Sequence, residues 1–435
     1  MRLAIIGGGW AGMAAAVQAA ELGAHLGAQV SVFEAARTLG GRARALAVPH
    51  QGHTLALDNG QHILIGAYRD ALDLMARLGV PPRQALLPLP LGLPFPDGGG
   101  LQTPRWAASA PPSLALLVAM LGARGWAWGD RLGLLRQSLR WRAQGFACAP
   151  QATVADVCAG LPRRAMDELI EPLCVSALNL PAAQASGALF LRVLRDALLG
   201  EGAQGWAAST LLLPRRDLSA LLPDAAAQWL RAHGGSVHAG CRVREAQRHG
   251  SGWRLFTDTG EREADRLVWA GPPHTAADVL GDAVPAPWRK LAEGLDHTAI
   301  TTVYAHGPGA RLASPMLALR QGPAQFVFDR GQLQAGEPAA QGVLAFVISA
   351  SEGEREALQA RVLAQAQAEL GLRLTALRTV TDKRATFACT PGLRRPGAAM
   401  APGLWAAGDW VDGPYPATLE GAVRSGREAA RLALA

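Results

Sequence analysis

The beginning of the chain alternates short apolar runs with an alanine-rich stretch. Residues 3–6 are apolar and end at a glycine, as expected of a buried parallel strand. Residues 12–22 are rich in alanine and predict the following helix, and residues 30–33 predict a second strand that Glu34 closes. This order predicts a βαβ unit, the building block of a doubly wound α/β fold.

The pattern changes several times further along the chain. Residues 81–112 carry nine prolines and a run of three glycines, so we predict little regular structure there. Residues 113–231 have the apolar spacing of helices, whereas residues 236–271 predict a β-meander that returns to the first sheet. Residues 297–350 predict further strands, and a charged helix is predicted over residues 352–370.

Composition narrows the class of protein. The chain has 435 residues, enough for two domains, and a formal net charge of +7. The arginines that dominate this charge are spread along the chain, so we predict no nucleic-acid binding. The five cysteines form no CxxC pair and no metal-ligand spacing, which predicts reduced thiols in the cytoplasm and no bound metal. We expect no secretory leader, because a glycine motif already begins at Gly7.

A GxGxxG motif lies at the turn between the first predicted strand and helix. Its glycines would let the backbone approach a pyrophosphate, and the helix N-terminus would offer free N–H groups and a positive dipole end. The residues predicted to contact the phosphates are Gly7, Gly9, Trp10, Ala11 and Gly12. Glu34 follows about 20 residues further on, where an acid accepts the hydroxyl groups of an adenosine ribose.

Two further motifs add a resemblance to a known family. Gly40, Gly41 and Arg42 predict a tight turn that presents a guanidinium to an anion. Near the end of the chain, Gly408 and Asp409 precede the segment Thr418, Leu419, Glu420. Together with the GxGxxG motif, these segments resemble the flavin-dependent amine oxidase and phytoene desaturase superfamily.

This resemblance implies FAD as the cofactor, held by residues from both ends of the chain. Arg42 would help to hold the pyrophosphate, and Asp409 would contact the ribityl or phosphate region. The helix N-terminus at Thr418, Leu419 and Glu420 would face the flavin pyrimidine ring. Val243 matches the position whose backbone meets adenine.

The predicted fold class is therefore α/β, with a doubly wound FAD/NAD(P)-binding domain that carries an inserted α+β substrate domain. The FAD-binding domain is predicted in three parts, residues 1–80, 232–295 and 401–435. The substrate domain is predicted in two parts, residues 81–231 and 296–400, of which the first is mostly helical.

Residues 58–68 form the most individual segment. Its glutamine–histidine pair, Gln61 and His62, resembles the hydroxysqualene dehydroxylase family of bacterial hopanoid synthesis, also called squalene-associated FAD-dependent desaturases. The resemblance spans nearly the whole chain and implies reductive removal of the hydroxyl group of hydroxysqualene to give squalene. In that interpretation Gly60 leads the chain past the isoalloxazine ring. His62 would be the catalytic acid, beside Gln61, and Asp58 would orient the loop.

Other interpretations stay open at this point. His62 also fits a histidine that only holds the loop, and Asp58 fits a loop-capping acid. A carotenoid or phytoene-type desaturase, or a flavin amine oxidase, would use the flavin in the oxidative direction. A prenyl-binding chaperone also exists on this fold, although it lacks intact FAD motifs. The sequence leaves the electron donor and the oligomeric state open.

Residues 113–142 interleave apolar residues with arginine and tryptophan, including Trp126, Trp128 and Trp141. Such a segment predicts either core helices of the substrate domain or a surface in contact with a membrane. A peripheral contact with the inner face of the bacterial membrane would admit a polyisoprenoid substrate. The longest apolar stretch, residues 114–121, is far shorter than the ~20 residues that span a bilayer.

Overall fold

The computed structural model of the protein describes residues 1–107 and 111–435. A six-stranded sheet combines segments from both ends and the middle of the chain. Its strands, in spatial order, are Ser236–Ala239, Gln29–Glu34, Arg2–Ile6, Arg266–Trp269, Leu404–Ala406 and Ala399–Ala401. All neighbours are parallel except the last pair, which is antiparallel. The predicted α/β fold class with a parallel sheet is confirmed.

Both faces of the strand Arg2–Ile6 are covered, which explains why its sequence is continuously apolar. Leu3 and Ile5 pack against the first helix, Trp10–Gly23, and the C-terminal helix, Leu419–Leu434. These two helices lie very close together, because a Cβ atom at Gly426 would stand under 3.0 Å from the Ala11 carbonyl oxygen. The two ends of the chain therefore share one hydrophobic core.

The opposite face of the six-stranded sheet packs against the predicted β-meander. Its strands, Val243–His249, Gly252–Thr257 and Gly260–Ala264, form an antiparallel three-stranded sheet. Ala4 and Ile6 belong to the same core as residues of this meander. The meander prediction is confirmed.

A five-stranded antiparallel sheet forms the second large layer. Its strands, in spatial order, are Met316–Ala318, Phe326–Asp329, Val343–Ile348, His297–His306 and Thr375–Phe387. The helix Arg355–Leu370 covers one face. The hairpin Ala45–His50 and His53–Asp58 packs on the other face, so a segment that follows the first βαβ unit reaches directly into this second core.

The absence of regular structure predicted for residues 81–112 is wrong. The strand Leu86–Leu89 pairs with Leu211–Pro214, which also pairs with Leu64–Ile65. The strands Gly92–Pro94 and Gly100–Gln102 form a small hairpin. Prolines are tolerated here because these strands are short and Leu86–Leu89 is an edge strand, where a missing N–H breaks no ladder.

The helical prediction for residues 113–231 is confirmed apart from the strand Leu211–Pro214. The helices of this region are Pro112–Leu121, Trp128–Ala143, Val154–Val157, Arg163–Ala165, the π-helical turn Met166–Ile170, Glu171–Leu178, Gly187–Leu199, Leu218–Leu221 and Pro223–Ala232. The remaining α-helices are Arg69–Arg77, Pro82–Ala85, Ala276–Leu280, Ala286–Glu293 and Arg330–Leu333. Short 3-10 helices are Ala24–Leu26, Arg105–Ala107, Pro273–Thr275, Gly281–Ala283 and Pro338–Ala340. The exact domain boundaries stay a prediction.

Candidate functional site

The GxGxxG motif forms the turn between the strand Arg2–Ile6 and the first helix. Gly7 has a φ of 117°, and a Cβ atom at Gly12 would stand under 3.0 Å from the Gly7 carbonyl oxygen. These two glycines are therefore required by the protein's own backbone. Gly9 differs, since a Cβ atom there would meet nothing closer than the Gly41 Cα atom at 3.8 Å.

A methyl group would therefore fit at Gly9, before the first helix, without overlap. Gly9 is the N-cap residue, and no side chain among the described residues caps this helix. Its first N–H groups and its positive dipole end are available to an anion. This geometry fits a pyrophosphate.

A second glycine turn, residues 40–42, lies directly beside the first. The Gly40 N–H donates to the Gly8 carbonyl at 2.9 Å, and the Trp10 indole Nε1–H donates to the Ala43 carbonyl at 3.1 Å. Trp10 is buried, so its role is to hold the two turns together rather than to present a ring to a ligand. Ala11 is likewise buried, against the C-terminal helix.

Arg42 reaches from this turn to the other end of the chain. Its guanidinium forms an ion pair with Asp409 and donates from Nη1 to the Ala385 carbonyl at 3.0 Å. Asp409 is almost fully buried, whereas 40% of the Arg42 side chain is exposed. The structure therefore brings together two residues that the family resemblance predicts to contact FAD.

Glu34 lies against the first glycine turn, and Val243 lies near Glu34. The Glu34 carboxylate accepts the N–H groups of Gly8 and Ala36, each at 2.7 Å. The Glu34 carbonyl accepts the Cys241 N–H at 2.8 Å, which draws the strand beginning at buried Val243 towards it. Each carboxylate oxygen keeps a further lone pair for a hydroxyl group.

The C-terminal motif places a helix N-terminus near Asp409. The Thr418 hydroxyl caps the helix by accepting the Gly421 N–H at 2.9 Å, and Leu419 is the first helical residue. The Asp409 carbonyl accepts the Ala417 N–H at 3.2 Å. A Cβ atom at Gly408 would overlap the Trp410 indole, so Gly408 serves the packing of this turn.

The side chain of Glu420 is not among the groups that the structure brings together at this site. Its fully buried carboxylate accepts the N–H groups of Asp70 at 3.1 Å and Ala71 at 2.9 Å, and Arg424 donates to it at 2.7 Å. The Glu420 side chain therefore caps the helix Arg69–Arg77. Only the Glu420 backbone belongs to the N-terminus of the helix Leu419–Leu434. Burial raises the pKa of this carboxyl group.

Asp58 is fully buried at the end of the hairpin strand His53–Asp58. Its Oδ1 accepts the Leu218 N–H at 2.8 Å, and its carbonyl accepts the Tyr304 hydroxyl at 2.8 Å. Its Oδ2 has no hydrogen-bond partner among the described residues and lies 3.7 Å from Arg330 Nη1. Burial raises the pKa of Asp58 to about 7, and the charge of Arg330 opposes this shift.

His62 lies half-buried two residues beyond Gly60. Its Nδ1 is 2.7 Å from the Gly60 carbonyl, and because a carbonyl only accepts, Nδ1 carries the proton. Burial lowers the pKa of His62, and the charge of Arg42 lowers it further, although the hydrogen bond to Gly60 opposes both. A Cβ atom at Gly60 would make only ordinary contacts, with His62 at 3.9 Å and Thr302 at 4.0 Å, so a methyl group would fit there without overlap.

Sequence reasoning missed two residues near this segment. Arg330 is fully buried and donates to the Gln61 Oε1 atom at 2.8 Å, while its Nε and Nη2 atoms have no partner in the described part of the chain. The Thr302 hydroxyl is also buried and without a hydrogen-bond partner among these residues. An Asp–Arg pair, residues 329 and 330, directly after the apolar run 326–328 was the one signal that could have identified Arg330.

The tryptophans of residues 113–142 do not lie on one surface. Trp126 and Trp141 are buried, and the Trp126 indole donates to Glu168 at 2.8 Å, so their assignment to a membrane surface is wrong. Trp128 is 65% exposed, with Arg131 stacked on its ring. In residues 1–107 and 111–435, no helix is long and apolar enough to cross a membrane.

The chain is similar in sequence and in fold to known flavin enzymes. The sequence profile of flavin containing amine oxidoreductases matches residues 10–434. The hydroxysqualene dehydroxylase of Rhodopseudomonas palustris is 30% identical, with 99% of this chain and 98% of that protein covered. The hydroxysqualene dehydroxylase of Zymomonas mobilis is 27% identical over the same shares. The structure of an oxidoreductase from Methanosarcina mazei has the same fold, with a TM-score of 0.74 and 16% identity over 99% of this chain and 100% of that one.

Proposed function

The chain belongs to the flavin containing amine oxidoreductase family, and from this premise we propose that it is a hydroxysqualene dehydroxylase that forms squalene. The protein is an FAD-dependent oxidoreductase. The observation that carries the substrate proposal is the 30% identity to a hydroxysqualene dehydroxylase along the whole chain. The half-buried His62, two residues beyond Gly60, supports it, because removal of a hydroxyl group needs a proton donor.

The proposed residues for FAD extend from one end of the site to the other. The first N–H groups of the helix Trp10–Gly23 and the guanidinium of Arg42 would hold the pyrophosphate. Glu34 would accept the ribose hydroxyl groups, and the backbone at Val243 would meet adenine. The flavin ring would lie between Gly60 and the N-terminus of the helix Leu419–Leu434, with Asp409 beside its ribityl chain.

The proposed reaction breaks the carbon–oxygen bond of the alcohol and forms a carbon–hydrogen bond at the same carbon. The substrate gains two electrons, and the hydroxyl group leaves as water after taking up a proton. Bound FAD in its reduced form supplies the two electrons and the new hydrogen. The protein supplies the proton, orients the alcohol and excludes bulk water.

His62 is the proposed proton donor. Since Nδ1–H is already bound to the Gly60 carbonyl, only the doubly protonated ring carries a proton on Nε2 for the substrate. Its lowered pKa makes this form scarcer at neutral pH but a stronger acid. Activity should therefore rise as the pH falls, and this rise should be absent without His62.

The test is anaerobic incubation of the FAD-loaded, chemically reduced protein with hydroxysqualene. We expect squalene whose new hydrogen comes from the reduced flavin. His62→Ala should keep its FAD and lose about 10²–10⁴-fold in turnover, whereas His53→Ala, at an exposed position, should behave as wild type. Unchanged hydroxysqualene, with desaturation of an isoprenoid after reoxidation, would instead support the desaturase interpretation.

We also propose that this protein takes its polyisoprenoid substrate from an anionic membrane surface. The helix Trp128–Ala143 exposes Trp128, Leu132 and Leu139 at a spacing that forms one stripe. The exposed Arg136 and Arg140 lie on the same helix. An apolar stripe with basic neighbours is typical of a helix that lies in the membrane interface.

Vesicle sedimentation tests this contact. The pair Trp128→Ala and Leu132→Ala should reduce binding to anionic vesicles, and salt should weaken wild-type binding, since each basic residue contributes about 1 kcal/mol near such a surface. Leu26→Ala removes an equally exposed leucine elsewhere and should change nothing. Equal binding of all three proteins to neutral and anionic vesicles would contradict the proposal.

A further inference from the structure

Arg330 is a charged residue in an unusual environment. Its side chain is fully buried at the end of the strand Phe326–Asp329. The adjacent Asp329 forms no ion pair with it in the described part of the chain, because the Asp329 carboxylate turns instead to the N–H groups of Leu312 and Gln332. A buried guanidinium that leaves Nε and Nη2 without partners among the described residues is costly for the fold. Such a cost calls for a functional reason.

One hydrogen bond of Arg330 determines the orientation of Gln61. A guanidinium only donates, so the Gln61 side chain must turn its Oε1 atom towards Arg330, at 2.8 Å. The Gln61 Nε2 atom then faces the opposite side and lies 3.3 Å from the His62 carbonyl. That contact uses one of its two N–H groups and, among the described residues, leaves the second without a partner and available to a ligand. An amide without this arginine could rotate by half a turn and present an acceptor instead.

The same arginine is held in place by Asp58. Arg330 Nη1 lies 3.7 Å from Asp58 Oδ2, and Asp58 is itself anchored by Leu218 and Tyr304. Asp58, Arg330 and Gln61 therefore form a connected polar group, of which Asp58 and Arg330 are fully buried and Gln61 is half-buried. It ends at the segment that carries Gly60 and His62, where the protein surface is accessible.

We propose that Arg330 is a positioning residue that fixes Gln61 as a hydrogen-bond donor to the hydroxyl oxygen of the substrate, and that this donor selects alcohols over hydrocarbons of the same length. The inference rests on the proposed function and deepens it. A site built to hydrogen-bond a hydroxyl group discriminates strongly against the analogue that lacks it, because its polar group then stays unpaired. The reaction itself removes this oxygen, so the product squalene binds less well than the substrate and leaves.

Binding of hydroxysqualene and of squalene to the oxidised holoprotein tests the proposal, with the flavin spectrum as the readout. Wild type should prefer hydroxysqualene. Gln61→Glu keeps the acceptor for Arg330 but removes the N–H donor, and Gln61→Leu removes both. Both variants should keep their FAD, and their preference for the alcohol should fall about 10- to 100-fold. Gln61→Leu should also lose thermal stability, because it removes the hydrogen-bond acceptor of buried Arg330, whereas Gln61→Glu keeps that acceptor. Gln84→Leu, at an exposed glutamine, should keep the wild-type preference.

Arg330→Met should produce the same loss of preference with Gln61 intact, because the amide is no longer fixed. If this variant does not fold, the two Gln61 variants still decide the question. A wild-type preference in Gln61→Leu, in a protein that converts hydroxysqualene, would overturn the role of Gln61 and leave the proposed function intact. Wild-type protein that neither binds nor converts hydroxysqualene would overturn the proposed function itself.

Discussion

Replacement of Gly9 by alanine should separate cofactor binding from folding. Gly9 has a φ of −76°, which any residue adopts, and its Cβ atom would meet nothing closer than 3.8 Å. Alanine in place of glycine lowers the conformational entropy of the unfolded chain, which stabilises the folded state by about 0.4–1 kcal/mol. Loss of a good N-cap residue costs a comparable amount. The stability of the FAD-free protein should therefore change by less than about 1 kcal/mol.

The new methyl group would instead occupy the space in front of the helix N-terminus, where a phosphate must approach. Loss of one charge-assisted hydrogen bond costs about 1.5–3 kcal/mol, so FAD should bind about 10- to 150-fold more weakly. Titration calorimetry of FAD with the FAD-free protein measures this change. Denaturant unfolding of the same sample measures its stability.

Two other glycines provide the comparison. Gly12→Ala should destabilise the fold itself, because its Cβ atom would stand under 3.0 Å from the Gly7 carbonyl oxygen. Gly336→Ala, where a Cβ atom meets nothing within 4 Å, should change neither stability nor FAD binding. Wild-type affinity for FAD in Gly9→Ala would refute the phosphate site, and unfolding of Gly9→Ala would refute the steric reasoning.

Two further predictions concern buried carboxyl groups. Glu420→Gln should destabilise the protein by about 1–3 kcal/mol in chemical unfolding. The NH₂ group of the new glutamine cannot accept a hydrogen bond, so one of the N–H groups of Asp70 and Ala71 loses its acceptor. An unchanged midpoint of unfolding would contradict this capping role. Asp58 has a pKa of about 7 in the folded protein against an ordinary value of 3.8, so its stabilising contribution is complete below about pH 4 and is lost as the pH rises through 7. Asp58→Asn should therefore gain stability relative to wild type over this range, by at most about 4 kcal/mol, and a difference that is constant with pH would contradict the shift.

The glycine motifs could be predicted from sequence because their conformations are local. Gly7 and Gly12 are fixed by a strand, a turn and a helix that follow one another within a few residues, and the apolar run 3–6 identifies that strand. The ion pair between Arg42 and Asp409 could be anticipated only through the family resemblance. Nothing in the local pattern joins two residues so far apart.

The polar group around Arg330 could not be predicted for the same physical reason. Asp58 ends a hairpin that packs on the five-stranded sheet, and Gln61 follows three residues later. Only that packing brings Gln61 within hydrogen-bond distance of Arg330 and Asp58 within ion-pair distance of it. Trp126 and Trp128 show that the burial of residues close together in the sequence could not be predicted either. They differ by two positions, yet one is buried against Glu168 and the other is exposed, because composition does not reveal which side of a segment faces the core.

The close contact between Gly426 and Ala11 has a consequence for the order of events during synthesis. The first helix can form early, but the strand Leu404–Ala406 and the helix Leu419–Leu434 that complete its core are made only after all the residues between them and that helix. Tight binding of FAD then requires a chain whose first and last segments have already docked. Bound cofactor stabilises that docked state by mass action and leaves shorter nascent chains without this protection. Bound flavin thus indicates that the helices Trp10–Gly23 and Leu419–Leu434 have packed against each other.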